Sequence, residues 1–457
     1  MTSAAPPIPL PLAADARRLL ALAWPVVLVS LNWTILHVTD VVVVGLVSTG
    51  EAAALGASRA ITFIAIVAAL GWLSGVLVSV SRAEGAGDLA ATGRHLRSGL
   101  ALAVVLGIAL AAALIALPEA MLRALGVDAG IAPAAARVVR VMGIAFPFQL
   151  VIVAASYFLE GISRPRRVMV INLAVLPMNA LLAWALSAGH LGLPALGAVG
   201  AATATAIASA AGACGMVAAC LTAPHARERG LRDWAAASGA EVRNGAIALM
   251  RFGAVPALAS GLELAGFSIL IALSTQLGTL VAHGFQIVFS IHNVTFALAI
   301  GLGSAAGVRV GNAVGEGLAR DALRRAALAA ALAAVPLAAA ALVLVFAAAP
   351  IVAQFPGDPR AHAAAVAMLA VWAPFVLFDG LQVVFVYALR SLGDQVAAGL
   401  CGIVAFFIVT GGLGLGLVHA GMDSMALPWA SGLGMLTAAL LSGARLVWVS
   451  GRVRPES

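Results

Sequence analysis

The sequence predicts an all-α integral membrane protein with twelve transmembrane helices, arranged as two pseudo-symmetric six-helix bundles. Three observations predict this. The composition is too apolar for a water-soluble fold, the arginines cluster in alternate loops, and short motifs recur at a nearly constant offset.

Of the 457 residues, 63% are hydrophobic and 10% are charged. A soluble domain carries about 25% charged residues. A bilayer accepts such a chain because it is itself the apolar solvent. About 20 mostly apolar residues cross a hydrocarbon core of roughly 30 Å. Backbone polar groups in lipid must be satisfied internally, so continuous apolar runs cross as helices.

The first predicted span, 19–44, follows a Pro-rich stretch and the pair Arg17 and Arg18. Its apolar run is full length and the arginines come late, so the segment before it reads as a cytoplasmic tail and not as a cleaved signal. Spans two to six are expected at 60–81, 98–117, 138–160, 168–188 and 197–221. A polar segment containing HARERGLRDW then divides the chain. Residues 1–222 form an N-terminal lobe, 223–244 a cytoplasmic linker and 245–457 a C-terminal lobe. Spans seven to twelve are expected at 245–273, 280–304, 326–348, 364–388, 397–418 and 427–450.

All 26 basic residues are arginine. With both termini in the cytoplasm, 20 of them fall on the cytoplasmic side, while the outer loops hold Arg59, Arg123 and Arg360. The positive-inside rule selects that orientation. Membrane topology thereby accounts for the net charge of +7, and no nucleic-acid partner is needed to explain it. Cys214, Cys220 and Cys401 all lie in apolar runs and offer neither a disulfide framework nor a paired metal motif.

The repeat is visible in four places. SRAEGAGD (81–88) follows span two, and GVRVGNAVGEG (307–317) follows span eight. The same shift of about 228 residues sets Gly50 against Gly278 and Arg97 against Arg325. LEGISRPR (159–166) faces LRSLGDQV (389–396) at a similar offset. Repeats in the same orientation are related by an axis along the membrane normal, with binding sites near the midplane. Pro25 and Pro256 are near-counterparts, as are Pro147 and Pro374, and prolines inside spans kink helices.

Three of the 19 acidic residues interrupt apolar runs: Asp40, Glu263 and Asp379. Placing an acid at a span centre costs roughly 2.5–3.5 kcal/mol on insertion scales, so such residues mark function by default. A carboxyl group held out of water takes up a proton more readily than one in water. Left ionised, it can bind Na⁺ with nearby oxygens. Either chemistry lets one site alternate between a coupling ion and a cationic compound. His37 lies one turn before Asp40 and Gln382 one turn after Asp379. Asn179 and Thr205 could add oxygen ligands, and Gln286, His292 and Asn293 could line a binding cavity. Trp33, Phe285, Phe289, Phe296, Phe378 and Phe385 could wall it for planar cations. For each of these the plainer reading is a packing contact. No Walker A, HExxH or paired CxxC motif is present, and GLGSAAG (301–307) follows no strand, so neither an ATP-driven nor a dinucleotide-dependent activity is expected.

These residues together resemble the multidrug and toxic compound extrusion (MATE) transporters, and among them the NorM-like branch. The resemblance rests on TDVVVVG (39–45), SRAEGAGD (81–88), PALASGLELAGF (256–267), RVGNAVGEG (309–317) and FDGLQVVFVYALRSLGD (378–394). It implies a secondary antiporter, not an enzyme, with two six-helix lobes that work by alternating access. It implies export of cationic, amphipathic compounds against H⁺ or Na⁺, with no cofactor. Asp40 would be the acidic residue of the first lobe, and Glu263 with Asp379 the coupling pair of the second, where Na⁺ could bind. Asn179 matches the first lobe's polar cluster, but Ala183 stands where relatives often carry a second polar residue. The expected setting is the bacterial inner membrane, and the expected form is a monomer. A flippase for a lipid-linked saccharide is the alternative, set behind because the acids in these apolar runs favour a cationic ligand.

Overall fold

A computed structural model describes residues 11–233 and 238–452. Most of the expected N-terminal tail, Trp234 of the linker motif and Arg454 lie outside the described residues.

Among the described residues, twelve helices are long and apolar enough to cross a membrane. They are Leu12–Gly45, Thr49–Gly85, Leu89–Ala116, Ala132–Gly161, Pro165–Ala188 and Ala198–Leu221 in the first half of the chain. The second half supplies Gly239–Gln276, Thr279–Gly315, Ala319–Phe346, Pro359–Ser391, Gln395–His419 and Ala426–Arg452. The fold is therefore all-α, as the composition predicts, and the described residues contain no strand.

Spans one, two, seven and eight are much longer than their apolar runs, at 34, 37, 38 and 37 residues. At 1.5 Å per residue these helices extend about 50–57 Å, well beyond a hydrocarbon core of roughly 30 Å. Helical winding continues into polar sequence at their ends. Arg59, expected in an outer loop, therefore lies inside the second span, and Asp15, expected in the tail, lies in the first turn of span one.

The chain divides into two compact units, one made of residues 1–27, 81–87 and 258–457, the other of 28–80 and 88–257. Two of the divisions fall within spans one and seven, just after Pro25 and Pro256; the other two fall within span two, after Val80, and in the turn after it, at Gly87. Proline removes an intrahelical hydrogen bond, which weakens a helix at that point.

The first unit holds an ionic knot. Asp15 is fully buried and accepts a hydrogen bond from Arg309. It also lies 3.6 Å from both Arg324 and Arg325. Arg325, 2% exposed, reaches Asp321 at 2.7 Å and Glu316 at 2.7 Å. Three guanidinium groups thus face three carboxylates. Nearby, Asn312 donates to the Ser81 carbonyl at 2.8 Å, and Arg82 donates twice to the Ser391 carbonyl at 2.8 and 3.0 Å.

The second unit is built on an apolar core that includes Leu73, Val76, Phe146, Leu150 and Phe158. Spans two and seven touch closely at Gly71, where a Cβ would stand 2.6 Å from Ala257 Cα. The segment after span six is tied down by Arg229, which donates to Thr92 Oγ1 at 2.7 Å, and by Arg97, which donates to the Gly230 carbonyl at 2.8 Å.

The repeat is written in the backbone as well as in the motifs. Gly87 and Gly317 end their helices in the left-handed conformation, at φ 71° and 74°, with amides donating to the carbonyl three residues earlier. Ser163 and Gly393 do the same at φ 61° and 86°. Each pair is separated by the shift that aligns the sequence motifs. Two spans depart from α winding. Span ten tightens to a 3₁₀ turn at Ala373–Phe375, around Pro374, and span eleven widens to a π-helix over Ile403–Leu413.

Candidate functional site

The acidic residues singled out in the sequence occupy two places, one in each compact unit.

In the second unit, Asp40 is 3% exposed near the end of span one. Asn179 Nδ2 donates to Asp40 Oδ1 at 2.9 Å, and Thr205 Oγ1 stands 3.5 Å from Oδ2. Asn179 and Thr205, read from the sequence as possible oxygen ligands, both meet Asp40, Asn179 through its amide nitrogen. The dominant partner is one the sequence did not suggest. Arg59 Nη2 donates to Asp40 Oδ2 at 3.2 Å, and its Nη1 donates to the His37 carbonyl at 2.7 Å. The three-residue connection Leu46–Ser48 folds span two back along span one and brings the pair together. Asp40, Arg59, Asn179, Thr205, His37 and Trp33 share one pocket, with Asn32, Gln149 and Asn172 also on its wall. Trp33 meets His37 edge to face, with ring centroids 6.2 Å apart. The side-chain oxygens of Asn32 and Asn179 are buried and accept no hydrogen bond. Ala183, fully buried, packs with Val44 and Leu55 and contributes no oxygen.

In the first unit, Asp379 is 3% exposed within span ten. Glu263 is half-buried on span seven, one turn before Phe267. His292 places Nδ1 3.8 Å from Asp379 Oδ2, longer than a hydrogen bond but within ion-pair range. Its ring lies among Phe267, Phe289, Phe296 and Trp372, at centroid separations of 5.4–5.8 Å. Gln382 is buried one turn beyond Asp379. Gln286 is exposed and Asn293 half-buried, and neither forms a hydrogen bond with a carboxylate among the described residues. The aromatic residues proposed for one wall are dispersed: Trp33 lines the Asp40 pocket, Phe289 and Phe296 surround His292, and Phe385 packs against Gly443.

The two places differ in their chemistry. At Asp40 the protein supplies its own cation, so an incoming ion must compete with a guanidinium. In the other unit Asp379 stands next to an imidazole, and Glu263 lies one turn before Phe267, whose ring stacks on that imidazole, so two acid-bearing spans meet at His292. Among the described residues, no cluster of three or more His, Cys, Asp or Glu side chains is suited to a tightly held metal.

Comparison with known proteins places the chain. The MatE family model matches it twice, over residues 25–185 and 256–412, so the halves defined by the repeat are each a copy of one family unit. A probable multidrug resistance protein NorM from Caulobacter vibrioides is 30% identical over 410 residues, covering 88% of this chain and 85% of its own length. Another from Deinococcus radiodurans is 31% identical over 444 residues, with coverage of 95% and 94%. Among solved structures, the eukaryotic MATE transporter AtDTX14 superposes with a TM-score of 0.85 at 19% identity, covering 95% of this chain and 96% of its own. An outward-facing multidrug resistance MATE transporter gives 0.85 at 17% identity, with coverage of 96% for both chains. Two family-model matches that span most of the chain, and relatives of this identity along nearly its whole length, show that it belongs to the MATE family of membrane transporters.

Proposed function

We propose that this chain exports cationic, amphipathic compounds from a bacterial cell across the inner membrane, driven by inward movement of H⁺ or Na⁺ and working by alternating access. The observation that carries the reading is the burial of Asp379 beside His292, with Glu263 one turn before Phe267, whose ring stacks on the same imidazole. Two carboxylates in a low dielectric repel each other unless a proton or a cation is present. A cationic compound and a coupling ion would compete for this charge, and that competition makes the exchange obligatory. Antiport then needs no further group, since binding of one partner releases the other. The names of the NorM relatives support efflux of drugs as the task.

Asp40 has a different part in this reading. Arg59 already balances its charge, so the first lobe shapes substrate binding while the second lobe couples the ion. His37, Asn179 and Thr205 belong to the first role, and Gln382 to the second. Gln286 and Asn293 are assigned to the substrate path leading to the second lobe. A lipid-linked saccharide would need unbalanced positive charge for its pyrophosphate, and Arg59 does not supply it while Asp40 is its partner.

The test is transport in proteoliposomes. Ethidium movement is followed under an imposed H⁺ or Na⁺ gradient for wild type, Asp40→Asn, Glu263→Gln and Asp379→Asn. The reading expects gradient-driven movement to be abolished in Glu263→Gln and Asp379→Asn. In Asp40→Asn it should be reduced but still coupled. Unchanged gradient-driven transport in both second-lobe variants would sink the coupling assignment. Movement of a lipid-linked sugar but of no drug would replace it with the flippase.

A further inference from the structure

We propose that His283 and His362 form a site for one divalent transition-metal ion of the Zn²⁺, Ni²⁺ and Cu²⁺ class, which bridges the start of span eight to the start of span ten. The inference stands apart from the export reading, since neither histidine lines the Asp40 pocket or touches Asp379.

The backbone brings the two side chains together. Span eight begins at Thr279 and span ten at Pro359. Their first turns touch closely at Gly284, where a Cβ would stand 3.1 Å from both the Ala361 carbonyl oxygen and the Ala365 amide nitrogen. His283 precedes Gly284 and His362 follows Ala361, so both imidazoles spring from this contact. The start of span ten is held by its cap. Asp358 Oδ1 accepts from the Arg360 amide at 2.7 Å, and the His362 amide donates to the Asp358 carbonyl at 3.0 Å. Gly357 completes the arrangement. The three atoms nearest to a Cβ built there all belong to the two imidazoles: His283 Cε1 at 2.7 Å, His362 Nε2 at 3.1 Å and His283 Nε2 at 3.3 Å. Both Nε2 atoms thus converge on one place, beside a residue with no side chain to fill it.

The chemistry favours a metal ion. His362 Nε2 is buried and has no hydrogen-bond partner. A buried polar atom left in that state calls for an explanation, and a metal ion that takes its lone pair supplies one. Ligation needs each nitrogen at about 2.0–2.1 Å from the ion. His283 is exposed, so rotation of its side chain brings Nε2 to that distance without disturbing the packing of Gly284. Imidazole suits zinc, nickel and copper, whereas magnesium and calcium prefer oxygen. Structural zinc sites use four protein ligands and catalytic ones three. Two leave the other positions to water, so the ion is exchangeable, in keeping with the lack of a larger cluster among the described residues. In the orientation that the arginines select, this end of the lobe faces out of the cell. Further along, the same two spans carry His292 and Asp379, so a bound ion clamps the outer ends of the helices that hold them.

The experiment measures binding without any gradient, so it succeeds or fails independently of transport. Zn²⁺ is titrated calorimetrically into purified full-length protein in detergent, with any polyhistidine tag removed. Wild type is expected to bind one ion in a step that Mg²⁺ does not reproduce. His283→Gln and His362→Gln should each weaken that step by at least about tenfold, since even groups placed behind a ligand are worth that much. His225→Gln is the control: it removes an exposed histidine beside a carboxylate, Glu228 at 3.2 Å, and should leave the affinity unchanged. A second measurement needs no variant. With one equivalent of Cu²⁺ on wild type, pulsed electron paramagnetic resonance should show two imidazoles on a single ion. No Zn²⁺ binding at millimolar concentration, a signature of one imidazole, or unchanged affinity in either glutamine variant would each overturn the proposal. In that case the two histidines serve only to pack the start of span eight against span ten.

Discussion

Asp15→Ala is expected to destabilise the protein by about 3–5 kcal/mol, although the residue lies in the first turn of the first helix. The magnitude follows from the ionic knot. Asp15 is fully buried, and its carboxylate is the hydrogen-bonded partner of Arg309, itself 5% exposed. Removing it leaves three guanidinium groups to two carboxylates. Asp321 and Glu316 are already engaged by Arg325 at 2.7 Å, so they cannot turn to Arg309 without giving up that contact. The loss is therefore that of one partner of a buried pair. The contact to Arg324, whose side chain is 36% exposed, is screened by water and adds at most about 1 kcal/mol. Equilibrium unfolding in mixed detergent micelles, followed by tryptophan fluorescence, measures the change. Arg94→Gln is the control, since it breaks only exposed pairs, with Asp88 at 3.3 Å and Glu241 at 3.5 Å, and should cost at most about 1 kcal/mol. If Asp15→Ala cost no more than this control, the account of the knot as a buried, mutually dependent cluster would be wrong.

Other expectations follow from single contacts. Gly71→Val should lower thermal stability markedly, because its Cβ would meet Ala257 backbone at 2.6 Å and neither helix can yield locally; a melting temperature within a degree or so of wild type would contradict the packing. Gly393→Ala should cost about 1–2 kcal/mol, since φ there is 86°, whereas Gly402→Ala, helical and facing open space, should stabilise by roughly 0.5–1 kcal/mol. Paired unfolding curves compare them, and the same sign for both would refute the backbone argument. His292→Phe should keep the aromatic packing but remove the group facing Asp379. Ethidium transport should then become less dependent on the gradient, with folding intact by size-exclusion chromatography; unaltered coupling would remove His292 from the site.

The twelve spans were legible because hydropathy is a local signal, and each apolar run exceeds the length a bilayer requires. The repeat was legible because the turns after spans two, four, eight and ten need particular backbone conformations, which leave recognisable motifs. Asn179 and Thr205 stood out in the sequence as polar residues in apolar spans, Asn179 also through the family resemblance; that both meet Asp40 is visible only in the structure. The helical extensions were not, because winding beyond the bilayer needs no apolar run. That hid two residues at once: Arg59 was assigned to a loop, and Asp15 to a tail. Span eight illustrates another limit. Gln286 and Asn293 are seven residues apart and share a helix face, while His292 lies about 100° round from Asn293, on the face of Phe289 and Phe296. The residue types singled out span eight, but only the structure shows which of its faces turns to Asp379.

The π-wound stretch Ile403–Leu413 affects how this chain can vary in length. In an ordinary α-helical span, deleting one residue rotates everything beyond it by about 100°, so that lipid-facing side chains turn inward. A π turn closes its hydrogen bond one residue later than an α turn and so holds a surplus residue. Deletion of one residue there can be absorbed by a return to α winding, leaving the segments on either side aimed as before. Span eleven is thus a place where single-residue deletions, ruinous in its neighbours, can be tolerated and inherited.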